Sequence, residues 1–404
     1  MLIHPEFTEA RDLLFSRAAP VDTERVSLLA CAGRILAEDL IAEANIPAFD
    51  RSPYDGYAFR SADTAGASRG APVTLRILEE VAAGGVPTKP VTPGTATKIL
   101  TGAPIPPGAD CVINYEVTEY TAERVTLFAP VRADSNIVHA GEDVRAGAVL
   151  ARAGTRIDAG VAGTLAAQGV TEPLVYRVPR VAVLSTGSEL VEADETPGAG
   201  MIRNSNAYTI SAALKSAGLE PVYLGIARDT VEGIAEKLAE GLAGCDAVIS
   251  TGGVSVGDYD LTPAAMEALG AELLVRGVAL KPGMACAYAE KDGKLLCGLS
   301  GNPASCITNL YTAVLPALKK LTGCADAMPE ELELTLLGAF GKPSGGTRVL
   351  RGTLVIENGR AALRLPPSQG NVVLSSTIGC NAMAIIPAGS GPVAAGTVLK
   401  GFLV

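Results

Sequence analysis

Val181-Ala182-Val183-Leu184-Ser185-Thr186-Gly187-Ser188-Glu189 and Ala247-Val248-Ile249-Ser250-Thr251-Gly252-Gly253-Val254-Ser255-Val256-Gly257-Asp258-Tyr259-Asp260 share one design. Each is a short apolar run that stops at hydroxyl and glycine residues. Such a run, bounded by turn residues, reads as a strand buried on both faces. Helical patterns follow. Residues 207–217 place Ile210, Ala213, Leu214 and Ala217 on one face, and 231–242 do the same with Val231, Ile234, Leu238 and Leu242. Residues 222–226 supply another strand, 263–269 a helix, 285–289 and 294–299 two strands, and 304–321 a last helix. Alternation over 179–326 predicts a mostly parallel sheet with helices on both faces, an α/β domain.

Outward from this domain the texture changes. Residues 6–19 and 22–40 read as short helices from Leu13, Leu14, Val26, Leu28, Leu29, Ile35 and Leu36. Over 46–140, β-rich runs at 73–78, 96–100 and 125–128 alternate with Gly/Pro turns, which predicts a β-rich insertion. Residues 141–178 hold turns and a helix over 159–168 that Gly169 is placed to cap. They are expected to pack back on residues 1–45 as a discontinuous N-terminal domain. Residues 327–404, with strands near 331–337, 348–356 and 382–386, form a separate C-terminal β domain. The fold class is therefore multidomain α/β, as expected of 404 residues, more than one core supports.

The formal net charge is −10 and no Lys/Arg block occurs, so a nucleic-acid backbone gains little here. Trp is absent, which removes the best stacking platform for single strands. No uncharged apolar stretch reaches the roughly 18 residues of a membrane span. Residues 1–12 carry Glu6, Glu9, Arg11 and Asp12 instead of a signal-peptide core. The eight cysteines form no CxxC and read as reduced packing thiols of a cytoplasmic protein. Cys286 and Cys297 are placed to face each other across a hairpin, with no need of a bond.

Doubly wound sheets bind ligands beyond the carboxyl ends of their strands. Both glycine loops fall there. Gly187, Gly252, Gly253 and Gly257 let backbone amides approach an oxyanion, and Thr186, Thr251 and Ser255 add hydroxyls. Two tight strand–helix turns are the plain alternative. Glu189, Asp229, Asp258 and Asp260 gather at the same edge. Singly each suits a helix cap; together they suit a hard cation such as Mg²⁺ that bridges phosphate. Lys281-Pro282-Gly283 adds a cation, and Gly301-Asn302-Pro303-Ala304-Ser305 opens a helix whose N-terminus attracts anions. In the insertion, Asp50-Arg51-Ser52-Pro53-Tyr54-Asp55-Gly56-Tyr57-Ala58 and Thr101-Gly102-Ala103 form a second cluster, although Asp55-Gly56 alone also suits a turn.

Taken in order, these motifs resemble the molybdopterin molybdenumtransferase family, which includes bacterial MoeA and the E domain of gephyrin. The matching pieces are Asp50-Arg51-Ser52, Asp55-Gly56-Tyr57-Ala58, Thr101-Gly102-Ala103, Gly108-Ala109-Asp110, Ser185-Thr186-Gly187 with Glu189, the 252–257 loop, Lys281-Pro282-Gly283 and Gly301-Asn302-Pro303. The resemblance implies a homodimer whose active site lies between the pterin-binding domain and the partner chain's insertion. It implies conversion of adenylylated molybdopterin and molybdate to molybdenum cofactor and AMP with Mg²⁺, the substrate coming from a molybdopterin adenylyltransferase. It implies that Asp55 and Thr101 act from the insertion, that Glu189, Asp229 and Asp260 hold metal or phosphate, and that Lys281 faces the anion. Thr186, Gly187, Gly252, Gly253, Ser255, Gly257, Asn302, Pro303 and Ser305 would bind the pterin ligand, and Arg351 with the Ser375-Ser376 pair would contribute from the last domain. Pro53-Tyr54, Met284, Ser300, Asp258, Ser188 and Asn371 depart from residues usual in the family. Tungsten insertion and a non-catalytic pterin-binding scaffold are the rival readings. Another nucleotide-binding α/β enzyme is disfavoured, because neither phosphate-loop fingerprint follows a strand.

Overall fold

The computed structural model describes residues 1–254 and 261–404, so Ser255, Gly257, Asp258 and Asp260 lie outside the described residues. The chain forms two compact units. One comprises Met1–Glu38, Ala153–Gly163 and Val170–Val404, the other Asp39–Arg152 and Thr164–Gly169.

In the first unit the elements are β1 (Arg180–Thr186), α1 (Asn206–Ser216), β2 (Glu220–Ala227), α2 (Val231–Gly244), β3 (Ala247–Thr251), α3 (Leu261–Ala268), β4 (Glu272–Arg276), β5 (Cys286–Lys291) and β6 (Lys294–Leu299). Strand Leu2–Ile3 and these six order as Leu2–Ile3, β4, β5, β6, β3, β1, β2. Pairings are parallel except those of β5, which runs antiparallel to both neighbours. The mostly parallel sheet is thus present. Its interior is apolar on both faces: Val181, Val183, Ile249 and Leu299 pack with α1, helix Phe7–Arg17 and the helix after β6, while Ala182, Leu184, Val248 and Leu296 pack with α2 and α3. That two-sided burial is why the strands read as unbroken apolar runs. Thr230 caps α2 by accepting from Gly233 N–H.

The last helix runs Pro303–Asn309, widens to a π-turn over Leu310–Val314 and resumes over Leu315–Leu321. Pro316 has no N–H to donate and its ring crowds the preceding turn, so a wider turn relieves both. Thr308 and Thr312 hydroxyls donate to the Ala304 and Thr308 carbonyls at 2.7 and 2.8 Å.

The expected helix over 22–40 is absent. Thr23–Arg25 is a strand antiparallel to Leu174–Tyr176, and Leu28–Ala30 is a single 3₁₀ turn. Val26, Leu28 and Ala37 N–H groups donate to the Pro173, Thr171 and Leu174 carbonyls. Pairing with a distant strand therefore overrides the local spacing, and Leu29, counted as an apolar face residue, is 98% exposed. The helix at the N-terminus is present as Phe7–Arg17.

Strands Thr347–Glu357, Arg360–Arg364, Glu331–Leu336, Val398–Leu403 and Ala382–Ile386 close on themselves as a barrel, the last pairing back to the first. Leu334, Leu336, Leu350, Leu363, Ala384 and Ile386 fill it.

In the second unit, Cys111–Asn114, Gly56–Phe59, Thr95–Ile99, Val73–Val81, Arg124–Leu127 and Glu119–Tyr120 form a six-stranded sheet in that order. Gly56 begins a central strand instead of occupying a turn, and a Cβ there would lie 1.9 Å from the Ile113 carbonyl oxygen.

All eight cysteines are free thiols, six of them buried. Cys286 stands opposite Leu299 and Cys297 opposite Tyr288, so the two cysteines do not face each other. Burial pushes the Cys286 thiol up to about 11, well away from a reactive thiolate.

Arg177 grips Asp246 with two hydrogen bonds of 2.7 and 2.5 Å, and Asp246 also accepts from Arg180 N–H at 2.8 Å. Burial raises the Asp246 carboxyl, but the Arg177 and Arg180 bonds outweigh it and leave it below its ordinary value. A depressed carboxyl contributes stability above its unfolded pKa and loses it as pH falls through the folded one. Asp246→Asn is therefore expected to cost about 2 kcal/mol near neutrality and to flatten the acid side of the stability profile. Urea unfolding between pH 7 and pH 3 checks both.

Candidate functional site

The carboxyl ends of β1 and β3 open into a cleft of about 760 Å³. Its wall includes Thr186, Gly187 and Glu189 after β1, Asp229 after β2, and Thr251, Gly252 and Gly253 at the end of β3. Asn302 and Pro303 at the last helix also line it. The described residues of the two glycine loops line this one cleft. Gly252 is obligatory here. Its φ is +97°, and a Cβ would fall 2.3 Å from the Thr186 carbonyl oxygen and 2.7 Å from its hydroxyl. Gly252, directly after β3, thus lies against the end of β1.

Glu189 and Asp229 are exposed on this wall, and neither side chain has a hydrogen-bond or ion-pair partner among the described residues. Arg203 is the one cation among the described lining residues, and its Nε donates to the Glu195 carbonyl at 3.0 Å. Among the described residues no group of three His, Cys, Asp or Glu side chains forms a ready metal cage. Two unpaired carboxylates against one guanidinium leave the wall short of positive charge for an anion.

Sequence reasoning missed the segment Ile202-Arg203-Asn204-Ser205-Asn206, which lines the cleft before and at the start of α1. Asn204 Oδ1 accepts from the Ser185 hydroxyl at 3.0 Å, and its Nδ2 donates to the Tyr223 hydroxyl at 2.8 Å. Asn206 Nδ2 donates to the Gly301 carbonyl at 2.8 Å. The available signal was two Asn and a Ser clustered before a helical pattern, which reads as a simple cap.

Not every expected residue lines the cleft. Lys281 is exposed in the short strand Leu280–Lys281, parallel to Thr347–Arg348, and is not part of this wall. Ser305 is buried and also outside it. The helix end expected to draw an anion has its first amide occupied: Ala304 N–H donates to the Asn371 carbonyl at 3.1 Å. Ser300, unusual for the family, accepts from Asn302 N–H at 3.2 Å. Met284, where a lysine is common, is 52% exposed.

Arg351 is fully buried in the barrel strand Thr347–Glu357. One guanidinium nitrogen, Nη2, donates to the Gly370 carbonyl and Ser376 hydroxyl at 3.3 and 3.1 Å, while Nε and Nη1 have no partner. Burial lowers its pKa. It fastens the loop that carries Asn371 and the lining residue Val372. Ser376, not the exposed Ser375, meets the guanidinium.

In the second unit, Asp55 and Thr101 do come together. Asp55 Oδ1 accepts from both the amide and hydroxyl of Thr101 at 2.7 Å. The amide bond first and then the hydroxyl bond hold the carboxyl below its usual range; burial opposes them, and the charge of Lys98 adds the least. Asp55→Asn is expected to keep the fold and to lower the melting temperature slightly, because the neutral oxygen holds the Thr101 amide and hydroxyl less strongly. Thermal melting of the variant beside the parent checks this.

Comparison with known proteins gives a consistent result. Residues 6–169 match the family model described as MoeA N-terminal region (domain I and II), and residues 182–320 match the one described as probable molybdopterin binding domain. A Staphylococcus epidermidis protein named molybdopterin molybdenumtransferase is 36% identical, over 97% of this chain and 93% of its own. A Bacillus subtilis protein of the same name is 38% identical, over 91% and 87%. The crystal structure of a molybdopterin biosynthesis MoeA protein from Pyrococcus horikoshii OT3 matches with TM-score 0.85 at 31% identity, covering 99% of this chain and 100% of that one.

Proposed function

The chain belongs to the molybdopterin molybdenumtransferase family, transferases of molybdenum cofactor biosynthesis, and from that premise we propose how its cleft works. The cleft at the ends of β1 and β3 takes adenylylated molybdopterin, and molybdate is exchanged for AMP. The observation that carries this reading is the apposition of the two glycine loops with Glu189 and Asp229 on one wall. Gly252 and Gly253 bring backbone within reach of the ligand, and Thr186 and Thr251 offer hydroxyls.

Mg²⁺ is the cation this reading requires. Two unpaired carboxylates are oxygen donors of the kind it prefers, and the wall lacks the positive charge an anionic ligand needs. Glu189, Asp229 and, outside the described residues, Asp260 would hold it. When bound it would neutralise charge on the diphosphate. Asp55 and Thr101, contributed by the other copy of a homodimer, complete the proposed set, and Lys281, exposed outside this wall, is the cation proposed for the part of the anion that extends beyond it. Arg351 acts by fastening the 369–376 loop. The substrate is supplied by an adenylyltransferase. A cytoplasmic location fits these substrates, and no described helix is long and apolar enough to cross a membrane.

The test incubates the protein with adenylylated molybdopterin, Mg²⁺ and either molybdate or tungstate, and follows AMP. AMP release that depends on molybdate is the expected result. Release with tungstate alone would move the reading to the heavier metal, and tight binding without release would make the chain a scaffold.

A further inference from the structure

We infer that Asn206 recognises the heterocyclic end of the ligand, its Oδ1 accepting a hydrogen bond from the 2-amino group of the pterin. This rests on the pterin-binding reading of the cleft. Asn206 opens α1, is only 7% exposed and lines the cleft. Its Nδ2 donates to the Gly301 carbonyl at 2.8 Å and reaches the Thr251 hydroxyl at 3.4 Å. A carbonyl oxygen accepts and cannot donate, so the bond to Gly301 fixes which way the amide is turned. Oδ1 must therefore occupy the other position, and there it is buried without a partner among the described residues.

A buried amide oxygen left unpaired is uncommon and calls for a donor. The Thr186 hydroxyl, 3% exposed, is likewise buried without a partner on the same wall. The cleft wall therefore holds an acceptor that nothing among the described residues satisfies, and a hydroxyl able to serve either way. Ionised phosphate and molybdate oxygens only accept, so neither answers Asn206 Oδ1. The aminopyrimidinone edge of a pterin carries an N–H donor and does. The same geometry makes the cleft selective: a ring with a carbonyl in place of the 2-amino group would set two acceptors against each other.

The test compares 6-hydroxymethylpterin with 6-hydroxymethyllumazine, whose 2-amino group is replaced by a carbonyl. Binding of each to the full chain is measured by ligand fluorescence or calorimetry, with molybdopterin measured in parallel. Wild type is expected to prefer the pterin by about tenfold or more, and Asn206→Ala to bring the two ligands within about twofold. Equal binding of both ligands by wild type, or an undiminished preference in Asn206→Ala, would overturn the assignment. So would an equal loss for both ligands in the variant, which would mark Asn206 as a tether for Gly301 only. If Asn206→Ala does not fold, Asn206→Ser carries the same comparison. Molybdopterin capture keeps the two readings apart. A wild type that holds molybdopterin without discriminating the pair sinks only Asn206, and one that holds none of the three ligands sinks the pterin-binding reading as well.

Discussion

Gly252→Ala is expected to lower cofactor-forming turnover by at least about a hundredfold, because it displaces Gly252 and Gly253 from the cleft wall. The added methyl meets the Thr186 carbonyl oxygen at 2.3 Å, a separation that neither backbone tolerates. The residue must also hold φ +97°, which favours glycine. Steric displacement and backbone strain together are expected to cost about 3 kcal/mol of stability. Gly200→Ala is the control. Gly200 also has a positive φ, +80°, but an added Cβ meets nothing within 4 Å. It should cost only about 1 kcal/mol and leave turnover intact. Equal effects at the two positions would show that the contact with Thr186 is not what matters.

The second large effect is expected from Glu189→Gln combined with Asp229→Asn. The substitutions preserve shape and remove the only two carboxylates among the described lining residues. Turnover should fall roughly a hundred- to a thousandfold, and the Mg²⁺ concentration for half-maximal rate should rise. The melting temperature should hold or rise slightly, because neither carboxylate has a partner to lose among the described residues. Wild-type turnover in the double variant would end the assignment of these residues to metal and phosphate.

The α/β layer was legible because its strands are buried on both faces and so appear as plain apolar runs. The expected strand at 294–299 coincides with β6, and the expected helix at 231–242 lies within α2. What failed was periodicity without a packing partner. Leu28, Leu29, Ile35 and Leu36 suit a helix, yet that segment pairs with Leu174–Tyr176. Nothing local encodes a strand partner so far along the chain. The glycine loops were legible because a glycine can be required where no other residue fits. Asn206 was not, since its importance lies in a carbonyl at Gly301 and an oxygen left unpaired. The last domain's share in the cleft came only from the resemblance, which named Arg351 and the Ser375-Ser376 pair; nothing local shows that Arg351, buried in a different sheet, holds the 370–373 loop there.

The ends of the α/β sheet bear on how copies of the molecule meet. One margin is the two-residue strand Leu2–Ile3, and the other is β2. Pro221 there has no amide hydrogen, Gly225 turns to φ +84°, and the register with β1 slips between Val183 and Ser185. The five C-terminal strands close on themselves, and the free end of their sheet is only the two-residue strand Leu280–Lys281. A neighbouring chain thus finds no long, regular row of backbone groups on either body to extend, which guards a concentrated solution against strand-by-strand aggregation. Association through these bodies has to proceed by side-chain complementarity, which a few surface substitutions can tune without touching the hydrogen-bonded frame.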